Sequence, residues 1–284
     1  MRILIGVLVL FISLILVTGS LAQEWQALNG DHFIIYFLGN EQIAKDILDK
    51  AEFFYRNIAT ELGYPRYSEF WLWDKRVKIY IYPDHQTFLK ATGQPQWSQG
   101  MADYKNKTIV SYAWSKGFVE SLLPHEMAHL IFRDFVGFKG EIPLWLDEGV
   151  AQWSEEPKRK QIKAVAKQFF NDDAVLSLED MMKLDIRKVT AADRVYIRST
   201  VTKKGDRGIL FLSGDNLINT YYIQAVSLVG FLIEKYGSYA FSSFCRELRD
   251  GKKLEDALRF AYPDHIRDLN EFEQRWREYL TRDD

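Results

Sequence analysis

The chain has 284 residues, 47% of them hydrophobic and 15% aromatic, enough apolar surface to expect a folded globular protein of one large domain or two small ones. A net charge of −2 and a pI near 6.3 leave no electrostatic footprint for DNA or RNA. Neither a nucleic-acid motif nor a glycine-rich phosphate loop is present. The chain opens on Met1-Arg2, an apolar run from Ile3 to Val17, and the small residues Thr18-Gly19-Ser20-Leu21-Ala22. This pattern predicts a secretory signal peptide over residues 1–22, cleaved after Ala22. An uncleaved membrane anchor is the alternative, although a spanning helix needs about 20 apolar residues and this run is shorter.

His32 to Leu38 reads as a strand. Glu41 to Leu62 follows as a helix, with Ile43, Ile47, Ala51, Phe54, Ile58 and Leu62 recurring at three- and four-residue steps and Gly63 as its stop. Arg76 to Tyr82 alternates as a half-buried strand, Asp84 to Ala91 is a short helix, and Thr108 to Ala113 a further strand. From Lys116 the chain is mostly helical, with helices expected at about 118–136, 144–154, 158–170, 177–184, 217–236, 238–249, 253–261 and 268–281. Ser177 with Asp180 forms a capping pair.

Val195 to Thr200 and Ile209 to Leu212, joined through Lys203-Lys204-Gly205-Asp206, read as a β-hairpin. Seven basic residues fall between Arg187 and Arg207, a pattern that first of all describes a solvated charged excursion. Cys245 is the single cysteine, so no intrachain disulfide can form. Its helical spacing from Phe241, Phe244 and Leu248 predicts a small buried apolar residue.

The chemistry concentrates in His125-Glu126-Met127-Ala128-His129. Residues four apart on a helix face the same way, so both imidazoles can aim at one zinc ion. Glu126, offset between them, reaches a zinc-activated water and can take its proton. Pro124 places the helix start, or a kink, near Ser121. Two histidines leave a catalytic zinc one protein ligand short, and Glu148 in Trp145-Leu146-Asp147-Glu148-Gly149-Val150-Ala151 supplies the third. The intervening 18 residues let a helix end in the Gly137–Pro143 turn and a second return antiparallel. Two nitrogens and one oxygen leave a fourth position open for water, unlike a closed, cysteine-rich structural zinc site. Asp147 is either a partner for a ligand histidine or a surface acid. His32, His85 and His265 lack metal-type spacing.

HEMAH, the 18-residue interval and WLDEGVAQW together resemble the gluzincin metallopeptidases, most closely the peptidase MA-like group related to the aminopeptidase N clan. The resemblance covers roughly residues 30 to 281: the zinc motifs are highly specific, while YIQAVSLVGFLIEKYG, LNEFEQRWREYL and GMADYKNKTIVSYA are looser matches. It implies His125, His129 and Glu148 as ligands of one zinc per chain, Glu126 as general base and Tyr222 as oxyanion donor. Tyr221, next door, is the alternative donor. One departure concerns specificity: clan aminopeptidases carry a Gly-x-Met-Glu-Asn segment, whereas Gly100-Met101-Ala102-Asp103 here lacks the glutamate. Thr108 to Ala113, taken as an edge strand, would then pair with an extended substrate.

The expected fold is α+β and zincin-like: a small mixed sheet in an N-terminal lobe packed on a mainly helical C-terminal lobe, with the active-site helix at the cleft and residues 23–284 as the catalytic domain. The expected function is a secreted or periplasmic zinc peptidase acting on a peptide or protein substrate. It binds no nucleic acid, and meets a membrane only if the N-terminal segment is retained. The alternative is a catalytically weak or inactive gluzincin-fold protein serving binding or assembly in the cell envelope.

Overall fold

Alternation of large apolar residues sets the N-terminal sheet. In the computed structural model, which describes residues 24–64, 71–96, 98–113, 117–137, 140–189, 196–201 and 204–281, five strands pair in the order β1-β2-β3-β5-β4. They are β1 (Gln26–Asn29), β2 (Phe33–Phe37), β3 (Val77–Tyr82), β4 (Gly100–Asp103) and β5 (Thr108–Tyr112). The three central strands are parallel, and β1 and β4 run antiparallel at the two edges. Phe33, Ile35, Phe37, Val77, Ile79, Ile81 and Ile109 are all buried, every second residue of its strand, as pleating requires. Helix α1 (Glu41–Glu61) is started by Asn40, whose side chain accepts from the Gln42 backbone N–H. It packs on β2 and on the helical region. The expected signal peptide, residues 1–22, lies outside the described residues.

One expectation is corrected here. The strand Thr108–Tyr112 is not an edge strand: β3 and β4 flank it, and β4 is the edge. Gly100–Asp103 is too short and too glycine- and aspartate-flanked to read as a strand on its own. It pairs because the turn after it is fastened: the Asp103 carboxylate accepts from the Lys105 and Asn106 backbone N–H groups. β1, equally short, was also illegible in the sequence.

Beyond a short helix α2 (His85–Thr92), the C-terminal region is mainly helical. It comprises α3 (Leu123–Val136), α4 (Leu144–Trp153), α5 (Glu156–Asn171), α6 (Leu178–Lys183), α7 (Gly214–Arg249), α8 (Leu254–Ala261) and α9 (Leu269–Thr281), interrupted by a hairpin of β6 (Tyr196–Val201) and β7 (Arg207–Leu212). The architecture is thus α+β, a small mixed sheet followed by a helical region. The two helices expected at 217–236 and 238–249 are both present within α7: at Gly237, φ 83° and ψ 156° leave the helical region and separate them. α7 is the pillar of this region, touching α3, α4, α5, α8 and α9. Its most apolar window is 67% buried within the fold. Gln224, buried on α7, exchanges two hydrogen bonds with the Leu176 backbone, and the Trp276 indole donates to Ser227. Asp134, near the end of α3, accepts from the Trp71 indole and from Lys107, each at 2.6 Å, and so ties α3 to the sheet.

Candidate metal centre

Pro124 has no backbone N–H to donate one turn back. The chain absorbs this with a wide π turn over Phe118–Leu122, closed by the Leu123 N–H on the Phe118 carbonyl. α3 then runs regularly through the five residues His125 to His129, ends at Gly137, and α4 returns from Pro143. The return is antiparallel: His125 meets Glu155, His129 meets Asp147 and Glu148, and Arg133 meets Asp147. One nitrogen of each histidine and one Glu148 oxygen all lie within 4.8 Å of one another. Nε2 of His129 stands 3.7 Å from Glu148 Oε2.

Each histidine is held from behind. The His129 Nδ1–H donates to Asp147 Oδ1 at 3.0 Å, and Asp147 Oδ2 accepts from the Arg133 guanidinium at 2.6 Å. The His125 Nδ1–H donates to Glu155 Oε1 at 3.0 Å. Glu155 in turn accepts from the Ser121 hydroxyl and pairs with Lys158 at 2.7 Å. Because a carboxylate only accepts, both imidazoles keep their hydrogen on Nδ1 and turn Nε2 towards Glu148. Asp147, left open between partner and surface acid, is therefore a buried partner.

The charges follow from these contacts. Burial pushes Asp147 up, but the bonds from His129 and Arg133 outweigh it and hold its carboxyl below the ordinary range. Burial likewise opposes Glu155, and His125, Lys158 and Ser121 hold it low. Glu148 is raised: burial dominates, and Asp147 and Glu126 add to it against the pull of both histidines. Burial alone would lower His129, yet Asp147, Glu148 and Glu126 raise it overall.

The far wall comes from α7 and from the turn after β4. Gly149 brings α7 close. A Cβ there would sit 2.5 Å from the Ala225 carbonyl oxygen and 2.7 Å from Val229, so only glycine lets α4 touch the α7 backbone. One turn before Ala225, Tyr221 and Tyr222 come under the field of Glu148. Tyr222 is half-buried, and its phenol is pushed up to about 12 by burial and then by Glu148, so at neutral pH it is a hydrogen-bond donor. Tyr221 is fully buried and its hydroxyl has no partner among the described residues. Arg187, bonded to Asp185 at 3.0 Å, acts on both phenols from the turn after α6.

Tyr104 approaches from the sheet. Its ring stands edge-on to His129, with centroids 5.8 Å apart, and burial first, then the charge of Glu126, raises its phenol above the ordinary range. Beside it, a groove of about 540 Å³ runs along edge strand β4, lined by Met101, Ala102, Asp103, Tyr104 and Lys105.

The structure thus brings together His125, His129 and Glu148, with Glu126 among them and both candidate tyrosines alongside. Histidines expected elsewhere have other work: His32 binds Glu52 at 2.6 Å, His85 binds the Ser98 carbonyl, and His265 stacks on Tyr236. Cys245 is buried. Sequence reasoning missed Glu155, Arg133 and Tyr104. Glu155 lies in the junction between α4 and α5, just past the last residue of α4, where no helical spacing from Glu148 marks it. Tyr104 carried no signal either. The donor set fits a divalent cation of the zinc type, since ligands about 2.1 Å from a tetrahedral zinc are roughly 3.4 Å apart. The sequence matches no protein-family model and has no significant match among curated proteins.

Proposed function

We propose that the chain is a zinc-dependent peptidase of the gluzincin type, acting outside the cytoplasm, with His125, His129 and Glu148 holding one zinc. The observation that carries this reading is the convergence of those three side chains within 4.8 Å, with both histidines fixed through Nδ1 by buried carboxylates. Such carboxylate–histidine pairs are the usual support of catalytic zinc. A zinc ion bound here supplies Lewis acidity and brings a water towards a pKa of about 7. Glu126 accepts the proton of the attacking water and later delivers it to the leaving amine. Tyr222 donates its hydroxyl hydrogen to the oxygen on which charge develops. An extended peptide can lie along β4, whose outer edge offers main-chain groups beside the groove. The apolar segment 1–22 supports export, and the gluzincin resemblance of the sequence supports a zincin-like fold.

The test is elemental analysis of the protein purified with zinc in the buffer, followed by digestion of a peptide library. One zinc per chain, lost in Glu148→Ala, together with library cleavage is the expected result. No zinc overturns the centre. Zinc without cleavage of any peptide overturns the peptidase and favours a binding or assembly role.

A further inference from the structure

The β6–β7 hairpin is not used by the proposed reaction. Its register pairs Tyr196 with Leu212 and Val201 with Arg207. Along β7, alternate residues must point to opposite faces. Leu212 is 7% exposed, while Ile209 is 67% and Phe211 64% exposed. Leu212 therefore seats on the fold, and Arg207, Ile209 and Phe211 share the opposite, outer face. A two-stranded ribbon gains little by itself in water, and two large apolar side chains side by side on its open face call for a covering surface. Charge says which one. From Arg187 to Arg207 the chain carries seven bases and two acids, a net +5 in a protein of net −2. Lys204 and Arg207 are exposed at the turn end of the hairpin. A second copy docked face to face would bring two such basic segments together.

We propose that this hairpin docks on an anionic phospholipid surface. Ile209 and Phe211 enter the headgroup boundary, and Lys204 and Arg207 meet lipid phosphates, as in other interfacial elements that join apolar and basic residues. Docking would hold the metal centre beside a membrane whether or not residues 1–22 are retained.

The test exploits the single buried cysteine, Cys245, which is 0% exposed. Ile209→Cys in the full chain gives one accessible thiol for an environment-sensitive fluorophore, and Phe211→Cys gives a second, independent reporter should the first variant not fold. The label reports on the hairpin alone, so insertion of residues 1–22 leaves it in water. With phosphatidylglycerol-containing vesicles, emission should shift to the blue and be quenched by nitroxide-bearing lipid. Phosphatidylcholine vesicles should give no shift. Lys204→Glu with Arg207→Glu should weaken the response to anionic vesicles by at least roughly thirtyfold, at roughly fivefold for each positive charge removed. The proposal is overturned by no shift with anionic vesicles, by an equal shift with neutral ones, or by indifference to the charge reversal. It is also overturned by a shift that needs only rising protein concentration, which means self-association, or by one that polyglutamate produces and lipid does not, which means an acidic protein partner. Hydrolysis plays no part in the readout, so failure of the peptidase reading leaves the result intact.

Discussion

The two walls of the candidate centre are built differently. On the α3–α4 wall both imidazoles are braced: His125 by Glu155, His129 by Asp147, and those acids by Ser121, Lys158 and Arg133. Elsewhere around the centre stand three phenols, Tyr104 from the turn after β4 and Tyr221 and Tyr222 from α7, and the buried Tyr221 hydroxyl has no hydrogen-bond partner among the described residues. A braced wall holds ligands in one orientation and cannot adapt. A wall of phenols offers its donors to whatever enters. Under the proposed function the contrast is a division of labour: one side would fix the cation, and the other would meet charge that appears during reaction.

The largest break should come from the base between the histidines. Glu126→Gln keeps shape and hydrogen bonding but cannot accept a proton, so hydrolysis should fall on the order of a thousandfold or more with zinc content unchanged. Turnover and bound metal measured on the same preparation check this, and wild-type turnover would remove Glu126 from the role of base.

The phenolic wall comes next. Tyr222→Phe should lower kcat about a hundredfold and leave KM and zinc nearly constant, because one oxyanion donor is lost. Tyr221→Phe should cost far less, since that ring is buried behind its neighbour. Steady-state kinetics on one shared peptide separates the two, and the reverse ranking would transfer the role to Tyr221.

The braces should show a subtler loss. Asp147→Asn and Glu155→Gln keep size but weaken the hold on each histidine, and zinc affinity should drop roughly ten- to a hundredfold. Competition with a metal-binding dye reads this directly. Unchanged affinity in both would mean that the braced wall has no bearing on the metal.

The smallest effect tests how the walls are brought together. Gly149→Ala places a Cβ against the Ala225 carbonyl and should destabilise the fold by about 1–3 kcal/mol through overpacking. Chemical denaturation measures it. A neutral result would show that α4 and α7 can move apart without loss.

Local pattern alone was enough for much of this protein. The three- and four-residue spacing of α1, the alternation in Val77–Tyr82 and the cap at Ser177 all depend on a few neighbouring residues, so they could be read directly. His125 and His129 could be paired for the same reason, because one helical turn carries one imidazole to the other. Glu148 needed a further step, a turn at Gly137–Pro143 and an antiparallel return, which chain length allowed but did not force. The remainder was settled by tertiary packing. β4 is a strand only because β5 offers it a partner, and that pairing made β4 rather than β5 the edge. Glu155 lies in the junction between α4 and α5, and the Ser121 hydroxyl that bonds it comes from 34 residues earlier. Tyr104 reaches His129 from another lobe across 25 residues of chain, and nothing in its own neighbourhood foretells the contact. Helical periodicity is an interaction between neighbours and is written in the sequence, whereas which buried acid braces which histidine depends on how separate elements pack, and only the folded chain decides that.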